Sequence, residues 1–216
     1  MKLRNSTRTL ILLAALVPML AGCIGAVAVG AGAGALIYAD RRQAETIMTD
    51  EGIEIRAGNR ISERFGDRAH VNVTTYNRMA LLTGEVPDAA AKAEVEKIVS
   101  GIANIKSITN ELQVGAVSTL SNRSNDTYIT SKVKARFIDA GKFSAVHVKV
   151  VTENGVVYLL GFVTQGESAS AVEIARTTAG VQKVVRVFEV ITDAEARRVD
   201  PQSATAAGKP AAKPAP

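Results

Sequence analysis

The chain has 216 residues, a formal net charge of +5, and 4% aromatic residues without tryptophan. That length admits one medium or two small domains, and so modest a charge argues against a nucleic-acid binder. A single cysteine excludes an internal disulfide, so any folded part must rest on its apolar core.

The chain opens with basic Lys2, Arg4 and Arg8, then an apolar run over residues 10–17. Pro18 breaks a helix there, and Leu20-Ala21-Gly22-Cys23 follows. The arrangement resembles a secretory signal ending in the lipobox of a bacterial lipoprotein. It predicts removal of residues 1–22 and acylation of Cys23, which would carry N-acyl and S-diacylglycerol lipid. No other cofactor is expected. Ile24 stands where an Asp often marks inner-membrane retention, so the expected location is the outer membrane, lipid-anchored and facing the periplasm. The alternative is an uncleaved anchor, because apolar residues continue to position 39 and the run is long enough to span a bilayer. Pro18 and the glycines at 22, 25, 30, 32 and 34 make a poor isolated helix. Residues 23–45 therefore read as a lipidated Gly/Ala-rich tether, with a glycine-mediated helix contact in the membrane as the sharper alternative.

Thr49 and Asp50 precede a predicted helix over 53–67, where Ile53, Ala57, Ile61 and Phe65 recur every four residues. His70-Val71-Asn72-Val73-Thr74-Thr75-Tyr76 alternates as a half-buried strand. Asn77-Arg78 is a turn, and residues 79–86 form a second strand. Asp88 is a candidate N-cap for a helix over 89–101. Ile105, Ile108, Leu112 and Val114 mark a third strand. Residues 116–124 form a polar linker.

The same order then repeats. A helix is predicted over 126–140, with Ile129, Val133 and Phe137 at spacing four. Strands follow over 146–152 and 156–163, joined by Asn154-Gly155, the strongest short hairpin signal. A helix over 167–179 and a strand over 183–191 complete it. Phe65 aligns with Phe137, Ile61 with Val133 and Ala57 with Ile129, leaving a short insertion at 139–144. Residues 82–86 align with 159–163. The chain thus carries two copies of one small domain, at 46–115 and 125–192. From 193 to 216 it is Pro/Ala/Lys-rich, and disorder is expected.

The apolar helix, the Val-x-Val strand, the Gly84 and Gly161 positions and the Gly180-Val181-x-x-Val184 ending resemble the BON domain. Asn104 stands in the first copy where the second has Gly180. Two copies behind a lipobox are similar to dual-BON outer-membrane lipoproteins. The resemblance implies an α+β fold, each copy α-β-β-α-β, with a small mixed three-stranded sheet and two helices.

Enzyme chemistry finds little support. His70 and His147 both start strands and read as half-exposed strand residues, and no carboxylate–histidine set has metal-ligand spacing along the sequence. The second copy carries 9 Lys/Arg against 6 Asp/Glu over 121–192, which favours an acidic partner. On the helix at 126–140, Ile129, Val133, Arg136 and Phe137 fall toward the core. Tyr128, Ser131, Lys134, Ala135, Ile138 and Lys142 fall opposite, with Lys132 on the flank. Rings and aliphatic groups among lysines suit contact with an anionic lipid surface; an ordinary solvated helix face is the plainer alternative. The resemblance implies that the second domain binds anionic phospholipid through this helix, with Tyr128 where relatives carry Trp. The competing function is a periplasmic protein–protein adaptor for outer-membrane assembly or stress response, working through exposed sheet edges without direct lipid recognition.

Overall fold

The computed structural model describes residues 40–200. The signal segment, Cys23, the tether through residue 39 and residues 201–216 lie outside the described residues.

The first helix, α1, is Ala44–Phe65, and it buries Asp50, Ile53, Ala57, Ile61 and Phe65 along one face. β1 (His70–Tyr76) and β2 (Met79–Val86) pair antiparallel, with Tyr76 opposite Met79. Asn77 and Arg78 between them both take positive φ, at 49° and 64°, the geometry of a two-residue hairpin turn. α2 (Ala89–Ser100) is capped by Asp88, whose carboxylate accepts from the Ala91 amide at 2.7 Å. The chain returns as two short strands parallel to β2, β3 (Ser107–Asn110) and β4 (Gln113–Val114). Leu112, in the break between them, is buried.

The second copy begins with α3 (Leu120–Ala140), capped by Thr119 and closed by Gly141 in the left-handed region. β5 (Val148–Glu153) and β6 (Val156–Val163) form the antiparallel hairpin, with Asn154 and Gly155 at φ 49° and 74°. α4 (Gln165–Arg176) starts with a capping box between Thr164 and Glu167. β7 (Lys183–Val190) then runs parallel along β6 without a break. Each sheet is therefore mixed, with β2 or β6 central, and the α+β expectation holds in both copies. Asn104 and Gly180 both take positive φ, at 75° and 97°, so asparagine fills a backbone role that glycine fills in the other copy.

Several boundaries differ from the sequence reading. α1 begins at Ala44, nine residues before the expected start, so Thr49 and Asp50 lie inside the helix. Its N-cap, Gln43, makes no side-chain cap bond, which leaves no start signal in the sequence. α3 begins at Leu120, shortening the linker. The tether's end is not free, since Arg41 and Asp50 are both buried and Arg42 bonds to Asp40 and Asp50. The expected disordered tail opens with a helix, α5 (Asp193–Val199), held by a Thr192–Glu195 capping box and by buried Ala196. His147 is buried and ends a 3-10 turn, Ala145–His147, instead of half-exposed on a strand.

The register of the repeat is also corrected. Asp50 accepts from the amides of Asn77 and Arg78 at 2.8 and 2.7 Å. Asp126 accepts from those of Asn154 and Gly155, both at 2.9 Å. These two acids are the equivalent residues, so Ile53 corresponds to Ile129 and Ala57 to Val133, one helical turn away from the match made on apolar spacing alone. The inserted stretch at 139–144 shrinks accordingly.

Alternation along the central strands explains how the copies join. Ala80, Leu82 and Val86 enter the first core under α1 and α2, and Val157, Leu159 and Val163 enter the second under α3 and α4. Their neighbours Leu81, Tyr158 and Leu160 point the other way. With Tyr76, Phe162, Val185 and Val187 they form a third apolar cluster that joins sheet to sheet. Neither central strand leaves an apolar face to water.

Gly84 and Gly161 sit where a Cβ would collide with the backbone carbonyls of His70 and His147 across the hairpin. Gly161→Ala is expected to cost about 1–3 kcal/mol, the range for a forced overpacking. Chemical denaturation checks this; an unchanged midpoint would show that the hairpin relaxes freely.

Candidate functional site: the outer face of the third helix and the seam between the copies

α3 is held by Ile129, Val133 and Phe137, all essentially buried. Phe137 meets the Phe143 ring edge-on with centroids 5.0 Å apart. Arg136 points inward as well, donating to the Ile174 carbonyl at 2.9 Å and to Thr178 Oγ1 at 2.8 Å. These contacts fix the helix rotation and leave Tyr128, Ser131, Lys134, Ala135 and Ile138 exposed. Tyr128 is 62% and Ile138 69% exposed, unusual for side chains of that size. Lys142 is exposed just past the C-cap. Lys132 is half-buried and differently engaged: its ammonium donates to the Ala179 carbonyl and lies 4.5 Å from the Tyr128 ring centroid. It braces the tyrosine and is the least available cation of the set. Among the described residues no helix is long and apolar enough to cross a membrane.

One edge of this face descends into a cleft of about 510 Å³ between the two copies. Ser131 and Lys134 line it with Thr127, Asp126 and Arg123, and His70, Asn72 and Glu153 stand on the other side. His70 and Glu85 are cross-strand partners on β1 and β2, while Glu153 ends β5 of the other copy. His70 Nδ1 is 3.1 Å from Glu85 Oε2 and 3.8 Å from Glu153 Oε1. The carboxylates are about 95% buried, with side chains 5% and 6% exposed. Burial works to raise the Glu85 pKa, but donors from Ser118, Asn154 and His70 outweigh it and hold the carboxyl below its ordinary value. Burial pushes Glu153 up, and the charges of Glu85 and Asp126 add to that, against the pull of Asn72 and His70. Sequence spacing could not disclose this group, because 68 positions separate Glu85 from Glu153.

At the far end of the seam, Arg41 spans both ends of the described chain. Its guanidinium donates to Glu167 Oε2 and Oε1 at 2.7 and 2.9 Å, to Asp200 Oδ2 at 3.4 Å, and to the Phe162 carbonyl at 2.9 Å. Arg42 lies over the Tyr76 ring, 3.9 Å from its centroid.

Two α-β-β-α-β copies, joined through their sheets and presenting one exposed helix face, define a tandem α+β module. The chain belongs to the BON domain family, which residues 50–116 and 125–192 each match. It is 34% identical over 174 residues to the outer membrane lipoprotein DolP of Haemophilus influenzae, covering 80% of this chain and 90% of that protein. It is 32% identical to a 21 kDa hemolysin of Actinobacillus pleuropneumoniae, over 70% of this chain and 79% of that one. It is also 32% identical to the osmotically-inducible protein Y of Escherichia coli, over 53% of this chain and 58% of the relative.

Proposed function

We propose that this protein is an outer-membrane lipoprotein, anchored through Cys23 and facing the periplasm, whose second BON domain binds anionic phospholipid through α3 in support of envelope integrity. The role is one of binding and not of catalysis. The observation that carries the reading is the joint exposure of Tyr128 and Ile138 on a helix side that also presents Lys134, with Lys142 beyond the cap. An aromatic and an aliphatic group enter the headgroup boundary while ammonium groups meet phosphate. Ser131 and Ala135 keep the surface between them small enough for close approach. The similarity to the Haemophilus lipoprotein supports the location.

The test uses the chain from Ala39 onward, the compact unit containing both copies. Tyr128→Ala combined with Lys134→Glu is expected to weaken binding to phosphatidylglycerol or cardiolipin vesicles by at least about tenfold, because each unit of charge near an anionic surface is worth about 1 kcal/mol. Equal binding by the double variant removes α3 from the reading. A parent chain that ignores such vesicles altogether turns it toward the adaptor for outer-membrane assembly.

A further inference from the structure

The two copies provide an internal comparison at the seam. The offset that relates Gly84 to Gly161 and His70 to His147 also relates Tyr76 to Glu153 and Glu85 to Phe162. Tyr76 and Phe162 meet at one end as an edge-on aromatic pair, centroids 6.0 Å apart. At the equivalent place on the other end stand Glu153 and Glu85. Where one end has an aromatic contact, the other has two buried carboxylates, each facing the same imidazole.

Buried carboxylates normally face a fixed cation. Among the described residues no lysine or arginine forms an ion pair with Glu85 or Glu153; the only basic partner is His70. One His70 nitrogen and one oxygen from each carboxylate lie within 4.8 Å of one another. Bonds of about 2.1 Å to a common centre place ligand atoms roughly 3–3.5 Å apart, so the 3.1 Å separation already fits, the 3.8 Å one closes by a few tenths of an ångström, and the two carboxylate oxygens, within 4.8 Å, draw together by side-chain rotation. Supporting donors are in place: Asn72 bonds Glu153 at 2.9 Å, and Asn154 and the Ser118 amide bond Glu85 at 2.6 and 3.1 Å. Such outer contacts orient metal ligands. The cleft beside His70 and Glu153 supplies an entry path and room for water ligands.

We propose that His70, Glu85 and Glu153 form a binding site for one first-row divalent cation of the zinc or manganese type, bridging the two BON domains. One imidazole and two carboxylates suit such ions better than calcium, which favours oxygen alone, or copper(I), which favours sulfur.

The test titrates full-length protein in detergent with Zn2+, and separately with Ca2+, by calorimetry. One Zn2+ per chain is expected, with a melting temperature that climbs with Zn2+ concentration and little response to Ca2+. Glu153→Gln keeps an acceptor for Asn72 and is expected to weaken Zn2+ at least tenfold, as is His70→Asn. Glu63→Gln, remote and exposed, is expected to bind as the parent does. Since a seam variant could fail to fold, the parent is also titrated with Mn2+ and followed by NMR relaxation. Broadening centred on His70 and Glu153 supports the site. No uptake by the parent, equal uptake by Glu153→Gln, or broadening centred elsewhere overturns it.

Discussion

Asp126→Ala is expected to lower the stability of the folded chain by about 3 kcal/mol, because two turn amides, that of Gly155 buried and that of Asn154 partly so, lose a charged acceptor together. Asp126 is 4% exposed and accepts from the Asn154 and Gly155 amides, both at 2.9 Å. Those donors lie in a turn whose residues hold positive φ, so the turn cannot easily re-aim them at water. Asp126→Asn keeps one acceptor oxygen and is expected to cost about half as much. In a thermal melt the alanine variant should fall by about 6–12 °C for a chain of this size. A loss below about 1 kcal/mol would mean that water replaces the carboxylate and that the hairpin does not depend on α3 for its shape.

Arg41→Ala is expected to be similarly severe, at about 3 kcal/mol, since it strands a partly buried carboxylate and a carbonyl that share one guanidinium. The Arg41 side chain is 4% exposed and that of Glu167 16% exposed. The effect should be pH-dependent. Burial alone would raise the Glu167 pKa, but Arg41 and the Thr164 amide outweigh it and hold the carboxyl below its ordinary value of 4.5. A pKa lowered on folding contributes stability that is fully present above the ordinary value and fades as pH falls through the folded one. Parent and Arg41→Ala should therefore differ most at neutral pH and draw together progressively as the solution becomes acid. Denaturation midpoints at pH 7 and pH 3.5 check this, and a gap that persists undiminished in acid would assign the loss to packing.

Much of the architecture was legible in particular residues. Spacing-four apolar positions placed the cores of α1 and α3, and Asn154-Gly155 marked its hairpin because those residues tolerate positive φ. The outer side of α3 followed from the same spacing. The remainder rests on contacts that the linear pattern does not encode. Asp50 and Asp126 look like helix starters, yet they sit mid-helix and bond turns that are distant in sequence. The early start of α1 had no capping side chain to announce it. Thr192 and Glu195 did carry a readable capping signal, but the polar composition around them outweighed it. The carboxylates at the seam arise only when the sheets meet. Leu81-Leu82 and Leu159-Leu160 hinted at that meeting, since adjacent apolar residues in a strand must face opposite sides.

The sheet-to-sheet seam has one more consequence. Two separate identical chains meeting this way would form a symmetric pair, and both ends of their contact would carry the same side chains. Covalent fusion of the copies lifts that requirement. One end could keep Tyr76 against Phe162 beside Arg41 and Arg42, while the other drifted to Glu85 and Glu153 beside the connector between the domains. The molecule therefore has a direction: an aromatic end next to the segment that leads toward Cys23, and an acidic end next to the start of α3.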